Sequence, residues 1–258
     1  MIHRIDFLAR MGLAIAVIGI LGGPIPLTAA GLNDTGIQFC GEATSGNNEP
    51  CTGSEPAGQD AHYGRDAAAA AGTLAKTGGG KAGFDFTKID ANGNSLPASA
   101  AGWSCVRDNV TGLVWEVKSD DGGLRDKDWG YSWYNSDPAT NGGSEGYLDP
   151  SYGNNCSGTL DHCNTEAYAA AVNSAGLCGH SDWRLPKRRE LQSIVDYGRV
   201  NPSIDAAYFP HTRSDWFWSS SPYAYDSYGA WFVHFYYGDV YYFNRDNGGA
   251  VRLVRGGQ

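Results

Sequence analysis

Half of the chain's aromatic rings fall in one stretch: Tyr208 to Phe243 holds 16 of the 32 Phe, Trp and Tyr residues in 36 positions. From Trp216 onward the residues follow a period of two. Trp231, Val233 and Phe235 lie on one side of an extended chain, and Phe232, His234 and Tyr236 lie on the other. Successive strand side chains point to opposite faces, so the segment predicts short antiparallel strands. Tyr237-Gly238-Asp239 can turn the chain and Val240 to Phe243 can return it. Ala250, Arg252 and Val254 alternate with Val251, Leu253 and Arg255 in a final strand.

Upstream the signals differ. Trp103 to Arg107 and Leu113 to Val117 read as strands about the turn Asn109-Val110-Thr111-Gly112. Residues 119–161, rich in Gly, Asp, Ser and Asn, read as a long ordered loop anchored by Trp129, Tyr131, Trp133 and Tyr134. Two helices follow. The first is capped by Asn164 or Thr165, turns Ala167, Ala171, Val172 and Ala175 inward, and ends at Gly176. The second starts at Pro186, turns Leu191, Ile194 and Val195 inward, and ends at Gly198. Helices followed by a run of short strands predict an α+β fold, not a doubly wound sheet.

The 258 residues allow one domain with appendages. The net charge of −9, without a basic run, excludes nucleic acid, which needs its phosphates neutralised. Arg4 and Arg10 precede an apolar stretch from Leu13 to Leu21, and Thr28-Ala29-Ala30 offers a cleavage site, so residues 1–30 read as a secretory signal peptide. An uncleaved anchor is the alternative. The apolar run is shorter than the ~20 residues of a membrane span, so none is expected after cleavage. Residues 31–83 read as a loosely folded Gly/Ala-rich N-terminal extension, and residues 84–258 as the main domain. The expected product is secreted or held at the cell surface, with the periplasm possible, and monomeric.

All six cysteines lie beyond residue 30, and an even count in an exported chain suggests three disulfides. Six cysteines allow fifteen connectivities. Cys40–Cys51 and Cys156–Cys163 would close short loops, which leaves Cys105–Cys178. A zinc site on Cys156, His162 and Cys163 competes with this pairing, although the spacing is not Cys-x-x-Cys. Asp90 to Asn94 reads as a turn, and Asp120, Asp121, Asp126 and Asp128 as solvated loop carboxylates rather than calcium ligands. No cofactor or metal is expected.

Several segments together resemble the Lcl-type C-terminal domain family of bacterial collagen-like adhesins and related exported proteins. They are Asp108 to Glu116, Gly179 to Pro186, Arg189-Glu190-Leu191, Trp218 to Ser221 and Val251 to Arg255. The resemblance spans about residues 84–258 and implies a C-type-lectin-like fold: two helices, short antiparallel strands and long ordered loops framing an exposed face. The last segment also resembles the variable region of proteins diversified by retroelements, in which template Asn codons mutate to Tyr, Asp, His, Ser, Phe, Gly or Ala. Residues 223–250 contain no Lys, Glu, Gln or Met, and are followed by Val-Arg-Leu-Val-Arg-Gly-Gly-Gln.

On this basis Trp231, Val233, Phe235 and Val240 should hold the core, along with Trp115, Trp183 and Trp218. The binding face should comprise Tyr223, Tyr225, Asp226, Tyr228, Phe232, His234, Tyr236, Tyr237, Asp239, Tyr241, Tyr242, Phe243 and Asp246, meeting a protein or glycan ligand. Tyr offers a large ring and a hydroxyl at small entropic cost, as in antibody paratopes. A fixed-specificity adhesin binding polysaccharide or a glycan is the alternative. An enzyme is not expected. The six His residues are scattered, and the late cysteines of formylglycine-generating enzymes, which share the lectin-like fold, have no counterpart after Cys178. The Glu-Pro-Asn and Trp-Asn-Asp elements of calcium-dependent sugar-binding lectins are also missing. His180 and Asp182 are expected to order the turn before the second helix, and Arg184 to donate a structural ion pair.

Overall fold

A computed structural model of the chain describes residues 33–256, apart from 43–45, 154, 155, 157 and 159. The expected signal peptide lies outside the described residues. Thirteen regular elements follow in order: β1 (Cys40–Glu42), β2 (Gly46–Glu49), α1 (Gly64–Ala70), β3 (Phe86–Ile89), β4 (Ser95–Leu96), β5 (Cys105–Asp108), β6 (Val114–Glu116), α2 (Thr165–Ala175), α3 (Arg188–Gln192), β7 (Trp216–Pro222), β8 (Gly229–His234), β9 (Asp239–Asn244) and β10 (Val254–Arg255). The strands form sheets of order β1-β2, β10-β6-β5-β3-β4 and β7-β8-β9, every pairing antiparallel. The fold is α+β.

The larger sheet is set by the hairpin β5–β6. Asp108 is buried and its carboxylate accepts the Val110 and Thr111 N–H groups, which fixes the turn expected at 109–112. Asp90 orders its own turn by accepting the N–H groups of Asn92 and Asn94. Helix α2 begins at Asn164, whose side chain accepts the Ala167 N–H at 2.8 Å, and ends at Gly176, whose φ of +67° suits glycine. Its buried stripe is Thr165, Tyr168 and Val172 rather than the expected alanines, because the largest side chain on the helix selects the face that packs.

The second expected helix shrinks to the single turn of α3, Arg188–Gln192. Leu191, Ile194 and Val195 are buried as expected, but the last two lie beyond the helix. Glu190 instead anchors the segment. It accepts the Lys187 N–H at 2.6 Å and both guanidinium nitrogens of Arg184 at 2.8 Å. Arg184 is thus the structural ion-pair donor the sequence suggests. Asp182 pairs with Arg255 across the start of this segment.

Two apolar clusters fill the interior. One gathers Phe84, Phe86, Trp115, Leu191, Phe209, Phe217, Val233 and Phe235. The other gathers Tyr131, Trp133, Tyr168, Trp183, Trp218, Phe232, Val251 and Leu253. Residues 250–254 pass between them, so Ala250 and Val254 serve the first cluster and Val251 and Leu253 the second. The expected alternation is present there, but both faces are buried and only Val254–Arg255 pair as a strand. Arg252 is buried in the same passage and donates to the Glu116 carbonyl at 2.6 Å and to Thr212 Oγ1 at 2.7 Å. The Glu116 carboxylate binds Lys118, Tyr168 and the Leu253 N–H. Burial pushes the Lys118 ammonium below its ordinary pKa, and the Glu116 carboxylate beside it opposes that shift.

Three disulfides join Cys40–Cys51, Cys105–Cys178 and Cys156–Cys163, the pairing the loop lengths suggested. Cys156 and Cys163 are therefore joined to each other, and His162 pairs with Asp149. The segment before residue 84 is tied to the main body by its own polar groups. Asn33 donates to the Ser193 carbonyl at 3.0 Å, and Tyr197 N–H donates to the Thr35 carbonyl at 2.8 Å; within the segment, buried Asp66 accepts the N–H groups of Gly36 and Gly83. Among the described residues, no helix is long and apolar enough to cross a membrane.

Candidate binding face

The sheet β7-β8-β9 carries the candidate site, and its two edges differ. Beyond β7 the chain continues into residue 250: Trp218 N–H donates to the Ala250 carbonyl, and Ala250 N–H to that of Trp216. Among the described residues, strand β9 closes the sheet with no further strand beside it. The registered row Trp218–Phe232–Tyr241 runs across all three strands on one face. Its exposure rises from 1% to 8% to 59%. The exposed rings are thus separated from the core by position across the sheet, not by the pleat alone.

Two expectations fall on this point. Phe232 is buried in the second cluster, since that face of β8 is covered as fully as the other, so it cannot meet a ligand. Trp231 is not a core residue. It is half-exposed, because the cluster under Val233 ends before reaching it, and Arg188 of α3 caps its ring at 4.3 Å. Trp115, Trp183 and Trp218 are buried as expected, and Val240 is partly buried against the first cluster.

At the outer end of the sheet the rings form a continuous ladder. Tyr223 stacks on Tyr242 with centroids 3.8 Å apart and planes 9° from parallel. Tyr241 lies 5.0 Å from Tyr242, and Trp231 meets Tyr223 edge-on at 5.3 Å. Tyr225 extends the row from Tyr223 at 6.3 Å and is 91% exposed. Gly229 permits this stack: a Cβ there would sit 3.2 Å from Tyr223 and 3.3 Å from the Tyr242 ring. The adjacent Tyr223 hydroxyl and then Tyr241 push Tyr242 above the ordinary phenol range. Asp226 shapes the loop that holds Tyr225 and exposed Tyr228, accepting the Tyr228 N–H at 2.9 Å.

The remaining expected residues lie elsewhere. Tyr236, Tyr237 and Asp239 belong to the opposite hairpin end, where Tyr236 and Tyr237 pack edge-on at 4.4 Å. Asp239 opens β9 two residues before Tyr241, about 7 Å along the strand, and Tyr236 and Tyr237 lie beyond it in the turn. His234 is half-buried, and its Nδ1 accepts the Tyr236 N–H. Phe243 lies on the same side of the sheet as Phe232 and Tyr241, but among the described residues its ring meets Trp216, at 4.3 Å, and not the ladder. Asp246 is partly buried and accepts from Asn247. The structure therefore brings together Tyr223, Tyr225, Tyr228, Tyr241 and Tyr242, and sets His234, Tyr236, Tyr237, Asp239, Phe243 and Asp246 apart.

Arg245 lies within the same segment but serves the frame. It is buried over the Trp133 ring at 4.0 Å and donates to the carbonyls of Gly229, Asn141 and Ser144. The residue missed from sequence is Arg188. Lys187-Arg188-Arg189 is a basic triplet in an acidic chain, and that contrast was the available signal. Among the described residues the side chains of Arg188 and Arg189 make no hydrogen bond or ion pair, while Lys187 acts on the Glu190 carboxylate. Asp126, one of the loop carboxylates, accepts the Asp121, Gly122 and Asp128 N–H groups, while Lys127 bridges Asp120 and Asp128.

No curated protein and no solved structure matches the chain. The model of the Lcl C-terminal domain matches residues 104–255, more than half of the sequence, from the first strand of the central hairpin to the last strand of the fold. The chain belongs to the Lcl C-terminal domain family.

Proposed function

We propose that this is an exported ligand-binding protein, in which a lectin-like scaffold presents a tyrosine-rich face diversified by a retroelement. The observation that carries the proposal is the ladder Tyr225–Tyr223–Tyr242–Tyr241 at the free end of the sheet, beside Trp231 and Arg188. Neutral phenols give such a surface both contact area and hydrogen bonds, and aromatic anchors dominate the energetics of interfaces. A standard protein partner would cover about 800 Å² of it.

Diversification needs positions that can change without unfolding the domain. Tyr225, Tyr228 and Tyr241 are 59% exposed or more, and their replacement leaves both clusters intact. Phe232, Phe235 and Arg245 in the same segment are buried, and the proposal requires them to stay constant. The lectin-like assignment draws on the two helices, the short antiparallel strands and the long loop from 119 to 161.

The test is genomic and then biochemical. A near-copy of the codons for 223–250 beside the gene, with Asn codons at 223, 225, 228 and 241 but not at 232 or 245, supports the proposal. Identical codons in every isolate, with no such copy, favour an adhesin of fixed specificity. For a captured ligand, Tyr241→Ser should change affinity about tenfold, the weight of a modest hot spot. Unchanged affinity for Tyr225→Ser, Tyr241→Ser and their combination would remove the face from the interaction.

A further inference from the structure

A second concavity, apart from the tyrosine ladder, lies between α2, the chain before α3 and the end of β7. It is a cleft of about 640 Å³. Its floor includes Trp133 and Trp183. Both indole nitrogens are engaged elsewhere, Trp133 with the Ser219 carbonyl at 2.9 Å and Trp183 with the Leu177 carbonyl at 3.0 Å. What these rings offer the cleft is therefore hydrocarbon, which Leu185, Ala169 and Pro222 continue.

The polar lining is sparse and placed on different segments. Glu166 comes from the first turn of α2, and one of its oxygens already accepts the Ser136 N–H. Lys187 comes from the residue before α3, and its ammonium acts on Glu190, a carboxylate already held by both guanidinium nitrogens of Arg184. Arg184 also lines the cleft but is held by Glu190. Ser220 and Ser221 offer hydroxyls, the second accepting from the Arg188 N–H and keeping its own proton to donate. The walls are fixed before any ligand arrives. Thr165 Oγ1 accepts the Tyr134 N–H and donates to the Tyr134 carbonyl, and Ser220 N–H donates to the Pro186 carbonyl at 2.7 Å.

An apolar, preformed cleft with a few convergent polar groups is the usual form of a small-ligand site. The charges specify which ligand. A cation with two neighbouring hydroxyls suits a carboxylate. A carboxylate on another segment suits an ammonium. The apolar floor suits a hydrophobic side chain between them. We infer that this cleft binds a small zwitterion with an apolar body, an apolar amino acid or dipeptide, its carboxylate at Lys187 and Ser220–Ser221 and its ammonium at Glu166. The site does not depend on the tyrosine face.

The experiment is calorimetric titration of the disulfide-intact protein with phenylalanyl-leucine. The expected result is saturable one-to-one binding. Acetylating the amine or amidating the carboxylate should weaken it about tenfold each, as should Lys187→Glu, since each removes a charged hydrogen bond. Ala169→Trp, which fills the cleft, should abolish it, and circular dichroism checks that this variant is folded. Tyr241→Ser should leave it unchanged, which separates this site from the tyrosine face. No saturation by the dipeptide, or equal binding of its acetylated and amidated form, would overturn the inference. So would full binding by Lys187→Glu and by folded Ala169→Trp.

Discussion

Strands β8 and β9 are neighbours of equal length with similar composition, yet they have different roles. Phe232 and Tyr241 face each other in register on the same side of the sheet, one 8% and the other 59% exposed. Strand β8 is sandwiched between the two clusters, so its substitutions act on packing. Strand β9 ends the sheet, so its rings can change at little cost to the fold. The contrast teaches that alternation alone does not divide core from surface. A strand buried on both faces also alternates, and its place in the sheet decides what alternation means.

Four substitutions break or sharpen that comparison. Phe232→Ala should cost about 3–5 kcal/mol in denaturant unfolding, as buried aromatic truncations do. A cost under about 1 kcal/mol would place β8 at the surface with β9. Glu190→Gln should cost about 2 kcal/mol at neutral pH, because the anion accepts charged hydrogen bonds from Arg184. Burial pushes Glu190 upward, but Arg184 and the Lys187 N–H outweigh it and hold the group below its ordinary 4.5. A depressed carboxylate stabilises the fold above its unfolded pKa and loses that contribution as pH falls through the folded one. The acid limb of the stability curve below pH 4.5 should therefore be shallower in Glu190→Gln than in the parent chain.

Trp231→Ala sharpens the boundary. The ring is half-exposed and held by Arg188 and Tyr223, so its loss should cost about 1 kcal/mol. A cost near that of Phe232→Ala would return it to the core. Tyr241→Ser should change stability by less than about 0.5 kcal/mol, as surface substitutions do. Thermal melts in parallel with the parent protein measure both.

Much of this was legible in the sequence, for local reasons. The turn at 109–112, the caps at Asn164 and Gly176 and the three cysteine pairs all depend on residues close in the chain or on simple loop closure. The period of two located β8 and β9 but could not reveal which strand would end the sheet. That depends on residue 250 returning to pair with β7, a contact between distant parts of the chain. For this reason the period of two puts Phe232 outside and Trp231 in the core, whereas Phe232 is buried and Trp231 only partly so. The ladder was legible as a cluster of tyrosines, but Arg188 was not, since it reaches Trp231 from another element. The cleft between Glu166 and Lys187 joins residues from four separate segments and left no sequence pattern.

The sharpest check is hydroxyl-radical footprinting of the intact protein, read residue by residue. Tyr225 and Tyr241 should oxidise rapidly while Trp218 and Phe232 stay protected. Equal protection of Tyr241 and Phe232 would mean that β9 is covered and that the tyrosine face is not available to any ligand.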